Sequence, residues 1–84
     1  MLKATRGFKN AGRISAAQRI PVAGDLETFE QRLHHRADAL KQLPGFVSYR
    51  LLRPIGPKDP FTVLTFWQTR EDYEANYRPD LFLN

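Results

Sequence analysis

The chain contains no cysteine, and this absence removes several kinds of chemistry at once. Disulfides, thiolate nucleophiles and sulfur ligands for a metal are excluded, and such a composition fits a reducing compartment. Long apolar runs are missing too, because no stretch approaches the ~20 residues of a membrane span. The first residues lead into no signal-peptide core. We therefore expect a soluble, unprocessed, cytoplasmic protein with no membrane partner.

The chain has few histidines and lacks the glycine-rich and nucleophile motifs of common enzymes. The only two histidines, His34 and His35, are adjacent on a predicted helix, about 100° apart, so they cannot chelate one metal ion as an i, i+4 pair would. The sequence has no G-x-G-x-x-G, no P-loop, no H-E-x-x-H and no nucleophile elbow. We expect no metal site.

Positive charge is concentrated at the N-terminal end of the chain. The net charge is +4, and five basic residues precede the first acidic one, Asp25, whereas the rest of the chain is almost neutral. Such an arm can touch an acidic partner, but a solvated strand or terminus is its more ordinary interpretation.

Hydrophobic periodicity divides the chain into three strands and two helices. Alternation of apolar residues predicts a strand over residues 14–22, and two further apolar segments predict strands over 46–54 and 61–67. Steps of three and four between apolar residues predict an amphipathic helix over 25–43, ended by Pro44-Gly45. Thr69 begins a capping-box sequence, so a short second helix is expected over 69–77.

The strand over residues 61–67, FTVLTFW, is apolar on both faces. Such a strand needs cover on both sides of its sheet. Two helices cover only one side, and an 84-residue chain has a marginal core of its own. We therefore expect a homodimer in which a second subunit covers the other side.

The element order β-α-β-β-α is that of a ferredoxin-like unit without its last strand. The sequence thus predicts an α+β fold with an antiparallel sheet, formed by a single domain over residues 1–84. The missing strand would lie beside the first strand. Residues 3–8 precede a plausible turn at residues 9–12, so we expect residues 1–13 to form an N-terminal extension or an extra strand at this edge.

Four segments, in this order, resemble the antibiotic biosynthesis monooxygenase superfamily, and most closely its haem-degrading branch. They are residues 18–22 (QRIPV), 29–33 (FEQRL) with Arg36 and Ala37, 43–54 (LPGFVSYRLLRP) and 63–73 (VLTFWQTREDY). The resemblance implies a homodimer whose two sheets pack face to face as a dimeric α+β barrel, with a ligand cavity between the sheet and the helices of each subunit.

Two chemistries are implied by this resemblance. Some members of the superfamily oxidise aromatic polyketides with molecular oxygen and no cofactor, and others bind haem and degrade it. We expect a monooxygenase that oxidises a small aromatic or quinol-like substrate with molecular oxygen and without a cofactor. A haem-binding or haem-degrading protein, or a non-catalytic dimer that retains only the fold, are the alternatives.

Two residues are predicted to carry the chemistry. Gln18 falls where the haem-degrading branch has asparagine, and its carboxamide can hydrogen-bond an oxygen species or a substrate carbonyl. Trp67 matches the family's tryptophan at the end of the third strand, which borders the pocket. We predict that Gln18 orients the substrate and Trp67 shapes the pocket, although each residue also has an ordinary packing interpretation. The rest of the pocket is expected to comprise Ile20, Leu33, Phe66 and Tyr73.

Haem is the alternative cofactor, and a feature of the C-terminus argues against it. The haem-degrading branch supplies an axial histidine beyond the second helix, whereas here Phe82 is followed only by Leu83-Asn84. An RNA-recognition domain shares the element order, but its stacking aromatics lie on the third strand. The similar GFVSY sequence of this chain directly follows the first helix, so no nucleic acid partner is expected.

Overall fold

The computed structural model describes residues 13–82 and confirms the predicted α+β fold. The prediction made for residues 3–8 lies outside this range and stays a prediction. Two 3₁₀ turns, Ala39–Gln42 and Pro79–Phe82, accompany the regular elements. These are β1 (Ile14–Ile20), α1 (Leu26–Asp38), β2 (Phe46–Leu52), β3 (Phe61–Trp67) and α2 (Arg70–Asn76).

Both helices begin at a side-chain cap. The carboxylate of Asp25 accepts a hydrogen bond of 3.0 Å from the backbone N–H of Thr28, and the Thr69 hydroxyl accepts one of 3.0 Å from the N–H of Asp72. The first helix is shorter than predicted, because it tightens into the 3₁₀ turn Ala39–Gln42 before Pro44. The chain then reverses through Gly45, whose φ is +79°.

The three strands form one antiparallel sheet in the order β1-β3-β2. Strand β3 lies at the centre, and its first residue, Phe61, pairs with the last residue of β1, Ile20. Both outer strands end two residues before their predicted ends. Strand β1 ends where β3 begins, with Ile20 opposite Phe61, and the last pair of β2 is Leu52 with Thr62. A bulge at Val47 interrupts the pairing of β2 with β3.

The helices cover one face of the sheet, which we call the helix side. On β3 this face carries Phe61, Val63, Thr65 and Trp67, all buried. Around them the core contains Ile20 from β1, Phe82 from the C-terminal 3₁₀ turn and four residues of the first helical region, namely Phe29, Leu33, Ala37 and Leu40. The core therefore lies between the sheet and the helices.

No helix within residues 13–82 covers the opposite face, which we call the open face. Leu64 and Phe66 of β3 lie on this face only half-buried, and Leu52 of β2 is 46% exposed. None of the three strands contains an acidic residue, and Arg19 and Arg50 lie on the open face beside the apolar centre. The open face is thus an apolar centre with a basic border.

None of the helices between residues 13 and 82 is long and apolar enough to cross a membrane.

Candidate functional site

Gln18 joins strand β1 to the segment that follows α2. It lies on the helix side of β1, opposite Val63 of β3. Its amide nitrogen Nε2 donates a hydrogen bond of 3.1 Å to the carbonyl oxygen of Pro79, and its oxygen Oε1 accepts a short hydrogen bond from the Tyr77 hydroxyl. A carboxamide has two N–H donors and two acceptor positions, so one of each is used here.

Trp67 is fully buried at the end of β3. Its indole nitrogen Nε1 donates a hydrogen bond of 2.9 Å to the hydroxyl of Thr65, two residues back on the same face of the strand. Phe46 meets the indole ring edge-on with a centroid separation of 5.4 Å, and the rings of Tyr73 and Tyr77 lie at 5.9 and 6.2 Å. Trp67 is therefore the centre of an aromatic cluster that also contains Phe46, Tyr73, Tyr77 and Phe82.

Tyr77 connects this aromatic cluster to Gln18. Its ring stacks on Tyr73 with a centroid separation of 5.3 Å and an angle of 23° between the planes. Burial raises the pKa of the Tyr77 hydroxyl to about 12. The hydroxyl is consequently neutral at physiological pH and donates to Gln18, which fixes the orientation of the carboxamide.

A groove of about 330 Å³ opens between the two helical regions. Most of its lining is apolar, and Asn76 and Arg78 are its polar members. The Asn76 side chain donates to the carbonyl oxygens of Pro44 and Asp72 at 3.2 and 3.0 Å, which fixes its position. The full lining comprises Ala39, Leu40, Leu43, Ala75, Asn76, Arg78 and Leu81.

The groove and Gln18 are in contact with the same short segment of chain. Residues 75–81 contribute one wall of the groove, and Tyr77 and Pro79 within this segment bond to Gln18 on β1. A mostly apolar groove thus lies next to an aromatic cluster with one oriented carboxamide.

The structure brings some of the predicted site residues together and separates others. Gln18, Trp67 and Tyr73 all meet at Tyr77. Ile20 and Leu33 are buried in the core. None of the six predicted residues lines the groove itself, and Gln18 is connected to it through Tyr77 and Pro79. Phe66 lies on the open face, where it borders a separate cavity of about 430 Å³ together with Arg13, Ser15, Ser48 and Arg50.

Tyr77 and Thr65 were not singled out from the sequence. Tyr77 follows Tyr73 by four residues, a spacing that brings two side chains onto one helix face, but Tyr77 comes after the last helical residue. Only the chain reversal toward Pro79 brings it to β1. The strand period does place Thr65 beside Trp67, because residues two apart share a face.

The histidines lie away from the groove. His34 Nδ1 is 3.1 Å from the Tyr49 hydroxyl, and its Nε2 is 3.8 Å from the Glu30 carboxylate. His35 is exposed on α1. No group of three or more metal-binding side chains occurs within residues 13–82.

Known proteins are similar to this chain in sequence and in fold. The mycobilin-producing heme oxygenase of Mycobacterium tuberculosis is 38% identical over 53 residues, which are 63% of this chain and 50% of the relative. The chain therefore spans about half the length of the curated relatives it matches. A crystal structure of the heme-degrading protein from the same organism, free of heme, superposes with a TM-score of 0.66 at 32% identity, covering 76% of this chain and 72% of that one.

A second solved structure has the same fold at lower identity. SnoaB, a cofactor-independent oxygenase from Streptomyces nogalater, superposes with a TM-score of 0.66 at 22% identity, covering 76% of this chain and 65% of that one. The family comparison covers most of the chain, since residues 14–79 match the antibiotic biosynthesis monooxygenase family. This match extends from the first residue of β1 through Pro79, so the chain belongs to that family.

Proposed function

We propose that this protein is a monooxygenase that oxidises a small aromatic or quinol-like substrate with molecular oxygen and without a cofactor. The observation that carries the proposal is the Gln18 carboxamide, held by Tyr77 and Pro79 beside the buried rings of Trp67, Tyr73 and Tyr77. The family match and the fold of a cofactor-independent oxygenase support it.

In this proposal the substrate supplies the electrons. For a reacting methylene group the balanced reaction is R₂CH₂ + O₂ → R₂C=O + H₂O, in which one oxygen atom enters the substrate and the other leaves as water. The aromatic cluster lies behind the segment that lines the groove, and it supplies a buried apolar surface shielded from bulk water. Gln18 orients the substrate by accepting a hydrogen bond from its ring hydroxyl, and Trp67 shapes the pocket. Ile20, Leu33 and Tyr73 support this side of the sheet.

Oxygen consumption tests the proposal directly. Anthrone, an aromatic ketone with a reactive methylene group whose enol tautomer carries a ring hydroxyl, is the probe, and an oxygen electrode measures uptake with a metal chelator present. We expect one O₂ consumed for each anthrone oxidised, faster than in buffer, and a rate at least tenfold lower for Gln18→Ala. The control is Gln31→Ala, which removes an exposed glutamine of α1 and should leave the rate unchanged. Equal rates for wild type and Gln18→Ala would overturn the assignment of Gln18.

A haem-degrading function is the second candidate, because relatives at 38% and 32% identity carry that activity in their names. A relative of 32% identity binds two hemes in its active site. In this chain neither histidine lines the groove, so haem would need a ligand other than histidine there. Titration with haemin tests this candidate, since a saturable shift of the visible absorption band with quenching of Trp67 fluorescence would favour it over the cofactor-free reaction.

We further propose that two copies pair through their open faces. Leu64 and Phe66 at the centre of this face are apolar and only half-buried in the single chain. We also propose a cytoplasmic location. The chain has no cysteine and so forms no disulfide, which fits a reducing compartment.

A further inference from the structure

The side chain of Tyr77 has the chemistry of the substrate proposed above. It is a hydroxylated aromatic ring, it stacks on Tyr73 and it meets the edge of Trp67. Its hydroxyl donates to the Gln18 carboxamide. The stacking surface, the buried indole and the oriented acceptor expected for a phenolic ligand are thus already used by a residue of the chain itself.

We propose that Tyr77 is an internal competitor, which occupies the place of a hydroxylated aromatic ring beside Gln18, Trp67 and Tyr73 until a ligand displaces it. This inference rests on the proposed function, whose substrate it narrows to ring systems that carry a hydroxyl group. The site opens when Tyr77 leaves and closes when it returns.

The local backbone is suited to such a movement. Tyr77 follows the seven-residue helix α2 and has extended dihedral angles, with φ −78° and ψ 132°. The next turn, Pro79–Phe82, is anchored by Phe82, which is buried in the core, by the bond from Gln18 to Pro79 and by one of 3.0 Å from the Arg36 guanidinium to the Leu81 carbonyl. Tyr77 lies between this anchor and α2. A short segment with few hydrogen bonds opens at a lower free-energy cost than a core strand.

The groove provides a path by which a ligand can reach the segment that contains Tyr77. Its lining includes Ala75, Asn76, Arg78 and Leu81, the residues on either side of Tyr77 and within the following turn. An apolar ring that enters between the helical regions therefore contacts the same segment that holds Tyr77 in place. Entry of the ligand and departure of Tyr77 are coupled through these residues.

The hydrogen-bond acceptor Gln18 Oε1 determines which ligands can compete with Tyr77. Gln18 Oε1 receives a hydrogen bond from the Tyr77 hydroxyl, and Gln18 Nε2 is oriented toward the Pro79 carbonyl. A replacement for Tyr77 must therefore donate a hydrogen bond to Oε1. A ring hydroxyl does so, whereas the corresponding methyl ether cannot.

The test is the affinity for 2-naphthol and for 2-methoxynaphthalene, measured by equilibrium dialysis with the fluorescence of the ligand as the readout. Tyr77→Phe removes only the competing hydroxyl, so the closed state loses one hydrogen bond and the open state is more populated. We expect 2-naphthol to bind about fivefold more tightly to Tyr77→Phe than to the wild type. Weaker or unchanged binding would overturn the proposal, because a Tyr77 that helps to build the site predicts a loss.

Two further variants keep the result interpretable. Tyr49→Phe makes the same chemical change at the edge of β2, where the hydroxyl donates to Asp38, and should leave the affinity unchanged. Gln18→Ala should abolish the preference for 2-naphthol over its methyl ether. A preference that survives in Gln18→Ala would show that the naphthol binds elsewhere and would likewise overturn the proposal. Circular dichroism establishes that each variant is folded.

These binding measurements do not depend on oxygen chemistry. Tighter binding to Tyr77→Phe without oxygen uptake would retain the competitor and remove the monooxygenase. Oxygen uptake that depends on Gln18, with no change of affinity in Tyr77→Phe, would do the reverse.

Discussion

At the scale of single residues, the hydroxyl of Thr65 accepts the only N–H of the buried Trp67 side chain, at 2.9 Å. We predict that Thr65→Val, which conserves shape, leaves this N–H without a partner and destabilises the fold by about 1–3 kcal/mol. Urea unfolding followed by the fluorescence of the single tryptophan measures this difference.

The control for this prediction is Thr62→Val on the same strand. Thr62 lies on the open face and is only half-buried, so the change removes no partner from a buried donor. We expect its effect to remain within about 0.5 kcal/mol. Equal losses in the two variants would mean that the hydroxyl of Thr65 is not needed by Trp67.

Gly45 is a second residue whose identity the structure explains. Its φ is +79°, and a β-carbon at this position would overlap the carboxylate of Asp72 in α2. Gly24 also has a positive φ, of +77°, but a β-carbon there would meet open space. A comparison of alanine substitutions at these two positions therefore distinguishes the free-energy cost of backbone strain from that of steric overlap.

We predict that Gly24→Ala costs about 1–2 kcal/mol, the price of a left-handed conformation for alanine. Gly45→Ala should cost clearly more, because α2 must shift as well as the turn. Chemical unfolding of both variants measures the difference. A loss for Gly45→Ala no larger than that for Gly24→Ala would contradict the close approach of α2 to this turn.

At the scale of elements, the start of α1 is sensitive to pH. Hydrogen bonds from the Thr28 backbone N–H and hydroxyl hold the pKa of Asp25 below its ordinary value. Because the folded pKa lies below the unfolded one, the ionised cap stabilises the fold above the unfolded pKa. That stabilisation is lost as pH falls through the folded pKa.

We therefore predict that the melting temperature falls below pH ~4, and falls less steeply in Asp25→Ser. Serine also caps a helix but does not titrate in this range. The lowered pKa of Asp38 is common to both proteins, so the comparison isolates the cap of α1. Parallel melting curves across pH 5 to 2.5 would show that the Asp25 cap does not contribute.

The elements themselves were largely predictable from local patterns. Residues 61–67 were predicted as a strand, and β3 has these bounds, because its uninterrupted apolar sequence lies between Pro60 and the Thr69 cap. The end of β1 depends on where β3 begins, which no local pattern contains. The tightening of α1 into a 3₁₀ turn also depends on packing, since its apolar spacing continues to Leu43.

The candidate site was predictable only where its contacts are local. The resemblance to the family points to Gln18 and Trp67, and the strand period places Thr65 on the same face as Trp67. Tyr77 could not be found in this way, because its partner Gln18 is 59 residues away in the sequence. Phe66 was expected in the pocket, but the strand period that buries Trp67 turns its neighbour Phe66 to the open face.

At the scale of the whole molecule, the open face leads to a prediction about assembly. We expect light scattering to give twice the mass of one chain, and Leu64→Lys to weaken the dimer at least tenfold. A lysine in the centre of an apolar interface must be desolvated without an acidic partner, since the strands contain none.

Ile55→Lys is the matched control for this variant. It replaces another branched apolar side chain with lysine, in a loop where the residue is 99% exposed. We expect its mass in solution to equal that of the wild type. A wild-type protein that stays monomeric at high concentration would remove the dimer from the proposed function.

The sheet without acidic residues has a consequence for how acid acts on this molecule. All nine carboxylate side chains belong to the helices, the turns and the loops, whereas the charged side chains of the strands are arginines. Acidification therefore discharges the helices, turns and loops but leaves the charge of the strands unchanged. At low pH we expect the helices and the C-terminal turn that cover Gln18 and Trp67 to loosen, while the strands keep their positive charge. The candidate site should therefore open before the sheet unfolds.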